Sequence, residues 1–329
     1  MSRTPAGPLP KQRQDSRTED VEQSGGRPDG HMQRQLLFQG TATALVTPFK
    51  KDGSVDEPSL RELVDFQIRG GVEALVPVGS TGEGATLSES EQAFVIETVV
   101  DQVNGRVPVI GGASSNSTQR AIALAKQVKE CRADAILSVA PFYNKPTQEG
   151  IYRHFSAIAE AVEMPIVIYN VPGRTASNIE PSTVLRLAED VPNIVGIKEA
   201  SGNLGQIMQI INERPKEFGV WSGDDIFALP LVASGADGII SVVGNEVPDL
   251  FSEMVRQALK GKFQKAREIH YKLLPLMNIN FIESNPIPVK AAMALMGKMD
   301  DHVRLPLVEL SEASRPKLEQ VLRDLDLIK

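Results

Sequence analysis

The run Ile194-Val195-Gly196-Ile197 ends on an ammonium, Lys198, where a strand would otherwise continue into a core. A lysine in that setting must be paired, reach water or lose its proton, because desolvation penalises the charged form. Held toward the free amine, it attacks ketones and forms a Schiff base. Strand alternation puts Ile194, Gly196 and Lys198 on one face. An isolated lysine after a strand more often snorkels to solvent, so chemistry at Lys198 needs partners from elsewhere in the chain. Gly79-Ser80-Thr81-Gly82-Glu83 offers hydroxyls and accessible backbone N–H groups, a turn suited to a carboxylate. Pro141-Phe142-Tyr143-Asn144 and Tyr169-Asn170-Val171-Pro172-Gly173-Arg174-Thr175 add two tyrosines and an arginine. An amine, a phenol that shuttles protons and anchors for an anion are what a carbonyl-condensing lysine requires with a keto acid. Singly, each has a plainer reading: a tight turn, a rim tyrosine, a solvated arginine and, for Glu199, a structural charge partner. Their convergence on one face is what favours the chemical reading.

That convergence depends on the elements between them. From Thr41 onward, apolar runs alternate with amphipathic stretches. The runs fall at 42–47, 72–78, 107–112, 133–140, 165–170, 194–198, 218–222 and 238–242. Between them, spacings such as Leu60, Leu63, Val64 and Ile68, or Ala121, Leu124, Ala125 and Val128, predict helices. Ser88 and Glu91 form a capping box that opens one of them. Eight strand–helix units, each too short for its own core, predict a parallel (β/α)8 barrel, in which active groups gather at the C-terminal strand ends. An open doubly wound sheet would want a phosphate fingerprint after the first strand, and Thr47-Pro48-Phe49 is not one. Past Pro248 only helical patterns continue. The expected organisation is a disordered tail over 1–35, a barrel over 36–247 and a helical region over 248–329. The tail is rich in Pro, Gly, Gln, Ser and Arg, and Met32 within it is an alternative start.

Composition narrows the functional classes. A formal charge of −7 argues against a nucleic-acid partner. The one cysteine, Cys131, excludes a disulfide framework and a thiolate metal site, and the four histidines are too scattered for ligand spacing. No stretch approaches the length of a membrane span, so a cytoplasmic location is expected.

Five segments give the chain a closer likeness. Gly79–Glu83, Tyr169–Thr175, Gly196-Ile197-Lys198-Glu199-Ala200-Ser201-Gly202, Ser222-Gly223-Asp224-Asp225 and Asn285-Pro286-Ile287-Pro288-Val289-Lys290 resemble the dihydrodipicolinate synthase family of pyruvate-dependent class I aldolases. The first and third are shared across that superfamily, while the segments around Arg174 and Asn285 point to the synthases. The resemblance implies that Lys198 condenses with pyruvate and that the enamine attacks L-aspartate-4-semialdehyde. It implies Tyr169 as acid/base, Ser80 and Tyr143 as a hydroxyl relay, and Tyr143 reaching the neighbouring subunit of a tight dimer. Thr81 and the Ile240 backbone would hold pyruvate, and Arg174 would clamp the second substrate's carboxylate. It implies no metal, no organic cofactor and a homotetramer built as a dimer of dimers. A 2-keto-3-deoxy sugar-acid aldolase or dehydratase, or an N-acetylneuraminate lyase-like enzyme, is the alternative, though those generally lack an arginine matching Arg174.

Two departures stand out. Ser80 replaces the threonine of many relatives and keeps the hydroxyl. Where some members bind feedback lysine, the matching positions here are Glu89, Gln92, Arg120 and Phe142, with only Asn116 retained. Arg120 would repel a lysine ammonium, so weak or absent inhibition is expected.

Overall fold

The computed structural model describes residues 36–329; the expected tail over 1–35 and the start at Met32 lie outside the described residues. The chain alternates as the apolar runs predict: β1 (Gly40–Ala44), α1 (Glu57–Arg69), β2 (Ala74–Val76), α2 (Glu89–Val103), β3 (Ile110–Gly112) and α3 (Thr118–Glu130). There follow β4 (Ala135–Val139), α4 (Gln148–Ala161), β5 (Ile166–Asn170), the four-residue α5 (Pro172–Thr175), α6 (Pro181–Asp190), β6 (Ile194–Glu199) and α7 (Leu204–Glu213). Next come β7 (Gly219–Ser222), α8 (Ala228–Ala233) and β8 (Gly238–Ser241), with 3-10 turns at Asp225–Phe227 and Val243–Asn245. Helices α9 (Pro248–Leu259), α10 (Phe263–Ile279), α11 (Ile287–Leu295) and α12 (Arg315–Asp324) end the chain.

The eight strands are parallel neighbours, and β1 pairs with both β2 and β8. A single parallel bridge between Leu75 and Val109 spans the remaining seam, between β2 and β3. This is the (β/α)8 barrel. Parallel strands are covered on both faces, which is why they read as continuous apolar runs. Helix starts follow local chemistry: the Ser88 side chain accepts from Glu91 N–H in a complete capping box, and Thr147 and Asn203 cap α4 and α7.

Three packed layers result. Residues such as Leu63, Ile96 and Ile158 fill the space between strands and helices. Ala42, Val76, Leu137 and Val167 fill the barrel interior. Phe251, Leu273 and Leu318 join the C-terminal helices to one another and to Ile239 of β8. Below the interior, Phe38 stacks on Trp221 with ring centroids 4.7 Å apart, and the indole N–H donates to the Phe38 carbonyl at 3.3 Å.

One expectation fails within β6. Ile166 pairs with Ile194 but Val167 pairs with Gly196, so the register slips at Val195. This irregularity breaks the alternation. Ile194 lies with Ile197 in the outer layer, and Val195 lies inside. A Cβ on Gly196 would lie 2.5 Å from the Trp221 ring, so only glycine fits where the strand is re-aimed. Ile194 and Lys198 therefore do not share a face.

Candidate active site

The turn after β2 is built on strain. Val78 has φ +61, a costly conformation for a β-branched residue. It is held by Gly112 N–H donating to Pro77 O at 3.0 Å and Gly84 N–H donating to Gly79 O at 3.1 Å. Gly84 and Gly112 press on the Val78 carbonyl so closely that a Cβ on either would clash with it. The turn delivers Ser80 to the exposed side and buries Thr81 to 2% exposure.

Glu83 points the other way. Its Oε1 accepts from Lys290 Nζ at 2.6 Å and its Oε2 from Arg304 N–H at 3.1 Å. Lys290 also donates to Thr47 O at 3.0 Å and lies 4.3 Å over the Phe49 ring. Burial pushes the Lys290 ammonium down from its usual range, and the Glu83 carboxylate counters that. This pair fastens the turn to the C-terminal helices, so Glu83 is no part of an anion cradle.

Lys198 is 4% exposed, and its ammonium lies 4.4 Å from the centroid of the Tyr169 ring. Burial lowers its pKa to about 8; Asp225 works against that fall and Arg174 with it. Gly223 makes room for the lysine stem, since a Cβ there would lie 3.0 Å from Lys198 Cε. Tyr169, on the neighbouring strand in register with Lys198, is pushed up to about 12 by burial, with Arg174 and a hydrogen bond with Ser80 opposing the rise. Phenol, Ser80 hydroxyl and amine thus occupy one place.

Arg174 stands exposed on the short helix α5 and donates from Nη2 to Asn285 O at 3.3 Å. Asn285 donates from Nδ2 to Thr81 Oγ1 at 2.9 Å. Only 4% exposed, it leaves its Oδ1 without a partner. It was not among the site residues predicted, although its segment carried the likeness. A cavity of about 290 Å³ opens beside Ser80, Tyr169, Arg174, Val139 and Phe142.

The remaining predicted residues fall as follows. Ile240 is fully buried in β8, paired with Ala42. Tyr143 is 87% exposed at φ +73, its N–H donating to Thr175 O at 3.2 Å, and it does not line the cavity. Glu199 is buried and accepts from Ser201 N–H, Asn170 and Gln206, so its partners are neutral donors and not the opposite charge expected of a structural charge partner. Among the described residues, no cluster of His, Cys, Asp and Glu could hold a metal ion.

Barrel and site together define a class, the class I aldolase type of lyase. The relationship is closer than class: the dihydrodipicolinate synthetase family model matches residues 37–325, and the chain belongs to that family. A 4-hydroxy-tetrahydrodipicolinate synthase from Maridesulfovibrio salexigens is 51% identical over 293 residues, covering 89% of this chain and 100% of the relative. A chloride-inhibited dihydrodipicolinate synthase from Acinetobacter baumannii, solved with pyruvate, is 47% identical with a TM-score of 0.87 over 88% of this chain and 100% of that one. A synthase described as the first monomeric variant is 44% identical, with a TM-score of 0.87 over 89% of this chain and 98% of that one.

Proposed function

We propose that the chain condenses pyruvate with L-aspartate-4-semialdehyde through a Schiff base on Lys198 to give 4-hydroxy-tetrahydrodipicolinate. The observation that carries this reading is a buried lysine, depressed to about 8, facing the ring of Tyr169. The neutral amine adds to the C2 carbonyl of pyruvate, and loss of water leaves the iminium. A methyl proton leaves to give the enamine, which attacks the aldehyde carbon. The amine of the second substrate then closes the ring on C2 and expels Lys198. Tyr169, hydrogen-bonded with Ser80, moves protons at the nitrogen and at the new alkoxide. Thr81 and the Ile240 backbone hold the pyruvate carboxylate.

Reductive trapping with pyruvate and borohydride, followed by peptide mass mapping, tests the first half. A stable adduct on Lys198 is expected, and an unmodified protein would end the proposal. A coupled assay with aspartate-4-semialdehyde tests the second half.

Arg174 assigns the second substrate. Arg174→Ala is expected to cost about 10- to 100-fold in kcat/KM for the aldehyde, the worth of a charge-assisted anchor, and to leave pyruvate trapping within a few-fold. Equal losses in both assays would contradict that role, and comparable wild-type turnover of a 2-keto-3-deoxy sugar acid would favour the aldolase reading instead.

The exposure of Tyr143 supports its delivery to a neighbouring subunit's site in a homotetramer. The family's feedback positions support an enzyme that ignores lysine. Arg120 lies 3.5 Å from Glu89, and Gln92 donates its amide to Gly84 O at 2.8 Å, leaving a guanidinium where a lysine ammonium would dock. Steady-state rates are expected to hold across millimolar lysine; near-complete inhibition at submillimolar lysine would refute this.

A further inference from the structure

The turn after β7 buries a carboxylate that none of the steps above employs. Asp225 is 1% exposed, and its partners are three neutral donors. Oδ1 accepts from Ser241 Oγ at 2.5 Å, while Oδ2 accepts from Val242 N–H and Val243 N–H, each at 3.1 Å. Ser241 Oγ accepts in turn from Gly244 N–H at 2.9 Å. These donors directly follow Ile240, so one side chain fixes the backbone at the end of β8. Two residues before Asp225, Gly223 packs against the stem of Lys198.

We propose that Asp225 is a positioning residue with two tasks: it clamps the end of β8 beside the pyruvate site, and it is the buried counter-charge for the cationic states of Lys198. The proposal rests on Lys198 being the Schiff-base lysine. An anion fixed by neutral donors keeps its charge available to a cation elsewhere, whereas one paired with arginine would be spent. Among the surrounding groups, Asp225 favours the Lys198 ammonium and Arg174 on α5 disfavours it, while Tyr169 on β5 faces it as a neutral phenol. Asp224, next in the chain, and burial both raise Asp225, which reaches about 6 and so stays mostly ionised at neutral pH. Glu246, after β8, is pushed well up by burial and by Asp225, and its Oε2 accepts from Asn280 at 2.6 Å. Glu199, on the strand of Lys198 itself, is turned onto its own hydrogen-bond partners.

The test reads the titration of Lys198 directly, by the pH dependence of its acylation with acetic anhydride, quantified by peptide mass without pyruvate. Asp225→Asn is expected to move the midpoint down by about one unit, a roughly fivefold rise in reactive amine at pH 7. Ser241→Ala, which loosens the clamp but keeps the charge, is expected to leave the midpoint in place. A merely structural Asp225 would lower the melting temperature and leave the midpoint unmoved, and that result overturns the proposal. So does an equal shift in Ser241→Ala. Should Asp225→Asn fail to fold, the wild type reads the same coupling. Log rate should fall by clearly less than tenfold per unit between about pH 7 and 6, where Asp225 takes up its proton, and return to unit slope below about 5; a unit slope unbroken from pH 7 to 5 overturns it. Acylation needs no keto acid, so failure of pyruvate trapping would count against the enzyme reading alone.

Discussion

Lys198→Met is expected to abolish pyruvate trapping and to lower kcat/KM by on the order of 10⁴-fold or more, because the covalent route disappears with the nitrogen. Methionine fills nearly the same volume, so the barrel should keep its melting temperature. Lys198→Arg should be equally inactive, since a guanidinium stays charged and cannot form the imine. The reason lies in burial. Water cannot support the ammonium at 4% exposure, so its pKa falls to about 8 and roughly one-tenth of the lysine is free amine at pH 7. The sign follows: a depressed amine pKa means that nucleophile accumulates as pH rises through 8. Wild-type imine formation should climb with pH up to that point and level above it. A variant at position 198 that retains turnover would remove the lysine from the mechanism.

The second large effect concerns stability rather than chemistry. Glu83→Gln is expected to cost about 3–5 kcal/mol, because it strands a buried ammonium. Lys290 and Glu83 have side chains 0% and 1% exposed, and Lys290 would be left with the Thr47 carbonyl and the Phe49 face. At roughly 2–4 °C per kcal/mol, the melting temperature should drop by about ten degrees at fixed protein concentration. The double variant Glu83→Gln with Lys290→Met should recover much of that loss, since no uncompensated charge remains. If the double variant melts no higher than Glu83→Gln alone, the penalty lies in the turn, not the stranded charge. Activity should fall with stability, because the same turn carries Ser80 and Thr81.

Much of this was legible before any coordinates. Parallel strands sheathed on both sides leave uninterrupted apolar runs, so all eight were placed by residue. Ser88 and Glu91 announced their helix start through a local exchange of hydrogen bonds. The chemistry at the strand ends was legible in part: Ser80, Tyr169 and Arg174 do gather, yet the face assigned to Lys198 was derived from an unbroken alternation. The slip at Val195 depends on how β6 meets β5, and period-two reasoning along one strand cannot see it. Asn285 was hidden for another reason. Its partner Thr81 lies 204 positions away, and only closure of the C-terminal region over the barrel brings the two together. The partner of Glu83 is not legible either, because a carboxylate in a hydroxyl-rich turn gives no sign of which way it points until Lys290 arrives from α11.

The stacked pair under the barrel gives the molecule a gauge of its own. Trp221 is the chain's one tryptophan, fully buried, in register with Lys198 on the adjacent strand and capped by Phe38 from the segment before β1. Tryptophan fluorescence, excited at the red edge of the band where tyrosine does not absorb, therefore has a single source, seated directly beneath the chemistry. Peeling the leading segment away would wet the indole and redden its emission while the helices still register by circular dichroism. Two optical signals from unlabelled protein thus separate an unseated floor from a collapsed barrel.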